Sequence, residues 1–85
     1  MKPVTIYSTH VCPYCMRAKA LLQSKQVPYE EYLVDSDRAR RTEMEQKSGG
    51  RRTVPQIFIG GQHVGGCDEL YALNRSGKLD TLLTD

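Results

Sequence analysis

The stretch Val4–Cys15, which reads VTIYSTHVCPYC, places a β-rich segment directly ahead of a close pair of cysteines. Val4–Ser8 is short and bounded by a proline and a polar stretch, which predicts a first strand. From Pro13 to about Gln26 apolar side chains recur at helical spacing, and a proline fits the first helical position because its missing N–H costs nothing there. The cysteine pair is therefore expected where the first strand ends and the first helix begins.

The rest of the chain continues to alternate strands and helices. Further strands are predicted at Tyr29–Val34, Val54–Ile59 and Gln62–Gly65, and further helices at Arg38–Lys47, at Asp68–Arg75 and around Leu79, Leu82 and Leu83. The strand-helix-strand steps predict parallel pairing, and the Gly60-Gly61 turn predicts an antiparallel hairpin. The order β-α-β-α-β-β-α therefore indicates an α/β fold, a four-stranded mixed sheet flanked by helices in a single domain, 1–85.

Size, composition and charge limit the classes of protein to which this chain can belong. Its 85 residues suffice for one domain, and 39% hydrophobic with 26% charged residues are typical of a soluble globular protein. A formal net charge of +2 does not indicate a nucleic-acid partner, and the basic run Arg38–Arg41 is typical of a solvated helix face. No signal peptide and no apolar stretch of roughly 20 residues is visible, so we expect a cytoplasmic protein with no membrane partner.

The three cysteines, Cys12, Cys15 and Cys67, indicate reactive thiols. An odd number argues against a framework of structural disulfides, and a close pair in a reducing compartment indicates redox or metal chemistry. The Cys12 sulfur is expected near the unpaired N–H groups and the positive dipole end of the first helix, which stabilise a thiolate and lower the pKa of the thiol. Cys15, three residues on, is within reach of a disulfide. The pattern predicts Cys12 as nucleophile and Cys15 as resolving thiol.

Two other interpretations of the cysteine pair are less favoured. A structural zinc site needs four ligands, and although Cys67 and His63 could complete a set, no second close pair of ligands is present. Two inert, buried cysteines are disfavoured because the junction of a strand and a helix favours reactive thiols. We therefore expect no metal.

Three motifs in order carry a resemblance to a known family: Cys12-Pro13-Tyr14-Cys15, Thr53-Val54-Pro55 and Gly65-Gly66-Cys67-Asp68. Together they resemble the dithiol glutaredoxins over essentially the whole chain, and the segments 56–59 and 68–73 are especially similar to the short bacterial members. The resemblance implies the thioredoxin fold. It also implies a glutathione-dependent thiol–disulfide oxidoreductase that reduces protein disulfides and protein–glutathione mixed disulfides.

The resemblance further implies a glutathione site beside the cysteines. In the family the proline after Thr-Val is cis and leaves the main chain before it free to pair with an extended peptide, whereas a proline that merely opens an edge strand is the alternative for Pro55. The glycine turn would receive a carboxylate on its N–H groups, while Asp68 would meet an ammonium group or cap the helix. The implied glutathione-binding residues are Tyr14, Arg52, Thr53, Val54, Pro55, Gly66, Cys67 and Asp68.

Several of these residues keep a second interpretation. Arg51 or Arg52 would pair with the glycine carboxylate of glutathione, unless both are solvated loop charges. Tyr14 would wall the glutathione sulfur or be an ordinary exposed helix residue. Cys67 is a small buried filler, a backbone contact for glutathione or a slow redox switch.

One position departs from the family pattern. Glutaredoxins usually carry a Lys three residues before the first active cysteine, where this chain has Thr9 followed by His10. That Lys attracts both the thiolate and a glutathione carboxylate, so part of the expected attraction is missing. A protonated His10 could replace it, but a loop histidine is ordinarily neutral near pH 7.

Partners and competing functions follow from the same resemblance. It implies glutathione as co-substrate, disulfide-containing or glutathionylated proteins as partners, ribonucleotide reductase as a family substrate, and a monomer. A glutaredoxin-like thioredoxin recharged by thioredoxin reductase is one alternative, which the glycine turn disfavours. An iron–sulfur cluster carrier, with Cys12 and glutathione as ligands across a dimer, is another, which Pro13 disfavours by stiffening the site.

Overall fold

The computed structural model describes residues 1–84, so Asp85, the last residue of the predicted domain, lies outside the described chain. The elements are β1 (Val4–Ser8), α1 (Pro13–Ser24), β2 (Glu30–Leu33), α2 (Arg38–Lys47), β3 (Gln56–Ile59), β4 (Gln62–Gly65), α3 (Cys67–Arg75) and α4 (Lys78–Leu83). The predicted order is confirmed, including the short closing helix. β3 begins later than predicted because Pro55 has no N–H for a strand ladder. Within residues 1–84 no helix is long and apolar enough to cross a membrane.

The four strands form one mixed sheet in the order β2-β1-β3-β4. β1 runs parallel to β2, as predicted, but antiparallel to β3, with Ile6 opposite Ile57, so the second strand-helix-strand step does not give a parallel pair. The loop after α2 returns the chain to the edge where β1 ends, and the main chain just before β3 therefore lies beside Cys12. The predicted β3–β4 hairpin is confirmed, and both residues of its Gly60-Gly61 turn have the positive φ that two-residue hairpin loops favour.

Alternating side chains of the sheet divide the apolar residues between two layers. The larger layer, under α1, α3 and α4, contains Val4, Ile6, Ala18, Leu22, Val27, Ile57, Ile59, Cys67, Leu70, Leu79 and Leu83. The smaller layer, under α2, contains Tyr7, Val34, Met44 and Phe58. Neighbouring residues of β1 and β3 thus point to opposite layers, as the period of a strand requires. The prediction of helices on both faces is confirmed.

Hydrogen bonds fasten helices to the end of β1. The Tyr7 hydroxyl donates to the Glu43 carboxylate of α2. The Ser8 hydroxyl donates to Glu31 of β2, which also accepts a hydrogen bond from Lys19 of α1 at 2.7 Å. Burial alone would raise the pKa of Glu31, but the hydrogen bonds from Lys19 and Ser8 outweigh burial and lower it below its ordinary value. These bonds fix the approach of the chain to the cysteine pair.

The basic run on α2 is mostly neutralised by its own helix. Arg40 pairs with Glu43 at 3.1 Å and Arg41 with Glu45 at 3.5 Å. The guanidinium of Arg40 also lies over the ring of Tyr32, 3.8 Å from its centroid. This arrangement agrees with the solvated helix face that the sequence predicts.

A buried side chain of the larger layer should contribute far more to stability than an exposed side chain of α1. Leu70 of α3 is fully buried there, whereas Met16 of α1 is 64% exposed. Leu70→Ala should lower the free energy of unfolding by about 2–5 kcal/mol because it leaves a cavity in the core. Met16→Ala, the matched control, should change it by no more than about 0.5 kcal/mol. Urea unfolding followed by far-UV circular dichroism measures both; equal losses would contradict the placement of Leu70 in the core.

Candidate active site

Cys12 is the residue at which the chain enters α1. It occupies the N-cap position, and Pro13 is the first residue of the helix. The backbone N–H of Cys15 donates a hydrogen bond to the Cys12 Sγ at 3.1 Å. The sulfur thus lies at the unpaired N–H groups and positive dipole end of the helix, which stabilise a thiolate. The predicted position of Cys12 is confirmed.

Cys12 and Cys15 differ in their access to solvent. The two residues are joined by a disulfide, with their Cα atoms 5.2 Å apart. Cys12 keeps 8% of its surface exposed and Cys15 only 1%. Because thiol–disulfide exchange requires access to the attacked sulfur, an external thiol or disulfide meets Cys12 first. Cys15 is placed to attack the Cys12 sulfur once that sulfur is bonded to a substrate, so that the substrate thiolate leaves and the Cys12–Cys15 disulfide forms.

The loop before β3 forms one wall beside the Cys12 sulfur. The Val54–Pro55 peptide bond is cis, as the resemblance implies. The carbonyl oxygen of Val54 lies 4.0 Å from the Cys12 Sγ. Within residues 1–84 the main-chain N–H and C=O of Val54 make no main-chain hydrogen bond, so both are free to pair with an extended peptide.

The turn before α3 forms the opposite wall. Gly65 has φ +120°, which only glycine adopts readily, and a Cβ there would collide with the carboxylate of Glu69. Gly66 is the N-cap of α3, so the first N–H groups of that helix face outward from the turn. Cys67 is a buried free thiol, and burial raises the pKa of its thiol. Its burial agrees with the small-filler interpretation.

The two walls enclose a shallow groove of about 150 Å³. Its lining residues are Tyr14, Arg51, Thr53, Val54, Pro55, Gly66, Cys67, Asp68 and Glu69. Seven of the eight residues implied as glutathione contacts therefore lie around one space. Tyr14 is 56% exposed at its rim, with the guanidinium of Arg17 6.0 Å from its ring centroid.

The two neighbouring arginines take different positions. Arg51 lines the groove, and its Nη2 pairs with Glu69 at 3.3 Å. Arg52, which was included among the implied glutathione contacts, has an 80% exposed side chain and pairs with Glu45 of α2 at 3.8 Å. The structure thus places Arg51, and not Arg52, beside the groove.

Glu69 is a groove residue that the sequence interpretation missed. Its carboxylate accepts a hydrogen bond from the backbone N–H of Gly66 at 2.6 Å, and this bond, with the nearby Arg51, holds the pKa of Glu69 below its ordinary value. The signal was present, since an acid three residues after an N-cap is typical of a capping box. Glu69, and not Asp68, is therefore the side chain that caps α3. Within residues 1–84 Asp68 makes no ion pair, so its carboxylate is free.

The departure at Thr9 is not compensated by its neighbour. The backbone N–H of His10 donates to the Asp35 carboxylate at 3.1 Å, and its ring Nδ1 lies 2.9 Å from the same group. Neither Thr9 nor His10 lines the groove. The positive charge beside the groove comes instead from Arg51.

The geometry therefore supports thiol–disulfide exchange. It combines the sulfur of the more exposed cysteine at a helix N-terminus, a second sulfur within bonding distance and a groove with free main-chain groups. Within residues 1–84 no three His, Cys, Asp or Glu side chains are grouped as a metal site would require.

Comparisons with known proteins agree with this chemistry. The family model described as Glutaredoxin matches residues 4–64. The chain is 58% identical to Glutaredoxin 3 of Escherichia coli over 83 residues, which covers 98% of this chain and 99% of that one. The solution structure of a glutaredoxin from Brucella melitensis has a TM-score of 0.84 at 54% identity, covering 98% of this chain and 89% of that one. A crystal structure of a buckwheat glutaredoxin–glutathione complex has a TM-score of 0.87 at 36% identity, covering 96% and 76%.

The predicted family and the thioredoxin fold are thus confirmed, and they account for a redox-active cysteine pair at the start of the first helix. With a family match over most of its length and relatives above half identity, this chain belongs to the glutaredoxin family of thiol–disulfide oxidoreductases.

Proposed function

We propose that this glutaredoxin depends on glutathione and reduces both protein–glutathione mixed disulfides and protein disulfides. The observation that carries the proposal is the groove beside Cys12, which joins the free main chain of Val54 to the N-terminus of α3. The glutathione complex of the buckwheat relative supports the choice of ligand. A ligand bound here would present its sulfur to Cys12.

The groove offers a partner for each end of glutathione. The main chain of Val54 would pair with the central cysteine unit of the tripeptide. The N–H groups at Cys67 and Asp68 would receive the γ-glutamyl carboxylate at the helix N-terminus, and the Asp68 carboxylate would meet its ammonium group. Arg51, one of the two arginines between which this role was left open, would pair with the glycine carboxylate. Tyr14 would cover the sulfur.

The reaction with a glutathionylated protein uses Cys12 alone. Its thiolate attacks the glutathione sulfur of the mixed disulfide, so a Cys12–glutathione disulfide forms and the protein thiolate leaves. A second glutathione thiolate then attacks the glutathione sulfur held on Cys12. Glutathione disulfide leaves, and the Cys12 thiolate is restored with the helix N-terminus to stabilise it.

The reaction with a protein disulfide also needs Cys15. Cys12 attacks one protein sulfur and releases the other as a thiolate, which leaves a disulfide between Cys12 and the protein. The Cys15 thiolate attacks the Cys12 sulfur, the second protein thiolate leaves, and the Cys12–Cys15 disulfide forms. Two glutathione molecules then reduce this disulfide in two exchanges and leave as glutathione disulfide.

The setting and partners follow from this cycle. Recharging by glutathione requires a compartment in which the glutathione pool is kept reduced, such as the cytosol. The protein partners are glutathionylated or disulfide-containing proteins, with ribonucleotide reductase as one substrate to test. A monomer is sufficient, because one chain supplies both sulfurs and the whole groove.

The division of labour between the cysteines can be tested by substitution. Cys12→Ser should reduce turnover of both a glutathionylated peptide and a protein disulfide to the uncatalysed background, because the attacking thiolate is lost. Cys15→Ser should keep the first activity and lose the second. Ser24→Ala, at the opposite end of α1 from the cysteines, serves as the control and should keep both. Retained turnover in Cys12→Ser, in assays of each substrate with glutathione, would overturn the choice of nucleophile.

The two arginines provide a matched test of the groove. Arg51→Gln should raise the KM for a glutathionylated peptide about fivefold, the equivalent of one charge-assisted hydrogen bond near solvent. Arg52→Gln should leave that KM within about twofold, since its side chain points away from the groove. Steady-state kinetics at fixed glutathione concentration measures both. The reverse order would place the glycine carboxylate at Arg52.

The reductant can be identified with purified reductases. Oxidised protein should be recharged by glutathione with glutathione reductase and NADPH, and not by thioredoxin reductase with NADPH alone. NADPH consumption during turnover of a protein disulfide measures the rate in each case. Turnover with thioredoxin reductase alone would favour a glutaredoxin-like thioredoxin.

A further inference from the structure

Gln56, the first residue of β3, carries a buried polar side chain that the reaction does not use. It is fully buried and lies opposite Tyr7 of β1. Its amide Nε2 donates to the carbonyl oxygen of Thr53 at 3.0 Å and lies 3.2 Å from the Thr53 hydroxyl. On its other side, the Oε1 lies 2.7 Å from the Nε2 of His63 on β4. A buried amide with hydrogen bonds to both neighbours restricts the orientation of Thr53 and of His63.

The hydrogen-bond directions along this chain of side chains are determined by Gln56. Because its NH₂ group faces Thr53, its oxygen faces His63, and the His63 Nε2 must therefore carry a proton and donate it. Burial lowers the pKa of His63, and the positive charge of Arg51 lowers it further. The ring also packs on Phe58, with centroids 4.9 Å apart. His63 is thus fixed by the hairpin and in turn fixes Gln56.

At its other end, this series of hydrogen-bonded side chains reaches the loop that forms the wall beside Cys12. Thr53 is exposed and directly precedes Val54, whose carbonyl lies 4.0 Å from the Cys12 Sγ. On the other side of the loop, Gly49 and Gly50 both have positive φ and contribute no side chain. The main-chain hydrogen bonds of Gly49 and Gly50 run back to α2. Between Arg51 and Thr53, the loop accepts hydrogen bonds from the side chains of Ser48, Arg41 and Gln56, and those from Gln56 reach Thr53, the residue next to Val54.

We infer that His63 and Gln56 are positioning residues, which hold the Thr53–Val54 main chain in the orientation that an extended substrate needs. This inference deepens the proposed function, since the substrate that benefits is a peptide or glutathione paired along Val54. Neither residue touches the reacting sulfurs. Their loss should therefore weaken substrate binding while the Cys12 thiolate keeps its reactivity.

The test removes the amide while keeping the volume of the side chain. Gln56→Met should raise the KM for a glutathionylated peptide about five- to tenfold with kcat nearly unchanged, because hydrogen bonds to one loop are lost. Gln62→Met, the same substitution at an exposed glutamine of β4, is the control and should change neither constant. The pH dependence of Cys12 alkylation by iodoacetamide should be the same in the wild-type protein, in Gln56→Met and in Gln62→Met.

Two variants of His63 test the same role without relying on Gln56→Met to fold. His63→Phe retains a ring on Phe58 but removes the N–H donor, and should raise the KM in the same direction. His63→Gln retains an N–H donor and should restore part of the affinity. Amide ¹⁵N chemical shifts of Thr53 and Val54 should move in His63→Phe and return toward the wild-type values in His63→Gln.

The outcomes separate this inference from the proposed function. Reduction of a disulfide-bonded peptide recharged by dithiothreitol gives the same KM comparison without glutathione. An inactive wild-type protein with glutathione, together with a raised KM of Gln56→Met in the dithiothreitol assay, would reject only the proposed function. An unchanged KM in Gln56→Met and His63→Phe, or a parallel fall of kcat and Cys12 reactivity, would reject the positioning role.

Discussion

The hydrogen bond from the Cys15 N–H to the Cys12 sulfur is the interaction on which the active site depends. It forms because Cys12 is the N-cap of α1, where its side chain can accept from the free N–H groups of the first turn. Pro13 contributes no N–H at the first helical position and leaves the next donors to the sulfur. The buried ends of β1 and α1 hold this junction, with the Ser8, Glu31 and Lys19 hydrogen bonds beneath it. The point at which β1 ends therefore places the Cys12 sulfur at a helix N-terminus, where a thiolate is stabilised.

The remaining parts of the site come from distant segments that the sheet brings to the same edge. β3 runs antiparallel to β1, so its first residues meet the last residues of β1, and Val54 arrives beside Cys12. The hairpin then places the start of α3 across from that loop. The groove therefore depends on strand direction as much as on the identity of its lining residues. A parallel β3 would have put the same residues at the opposite edge.

Much of this could be predicted from local patterns. The Cys12–Cys15 pair, the hairpin turn and the order of elements each depend on short-range signals, and the structure agrees with them. The direction of β3 could not be predicted, since it depends on how the loop after α2 returns to the sheet. The choice between Arg51 and Arg52 depends on tertiary ion pairs, because Arg51 pairs with Glu69 and Arg52 with Glu45. The residues adjacent in sequence do not predict these pairs. The capping role of Glu69 could have been predicted, because Glu69 lies three residues after the N-cap Gly66.

The layer under α2 has a consequence for how the protein fluctuates. Met44 is the only residue that α2 buries completely, and the helix is otherwise attached by polar contacts such as the Tyr7–Glu43 hydrogen bond. Regions with few buried apolar contacts open at lower free energy than the core. α2 should therefore form a separate cooperative unit, whose amide protons exchange with solvent faster than those of α1 and β1. Local opening of α2 would then leave the junction of β1 and α1, which carries the two cysteines, folded.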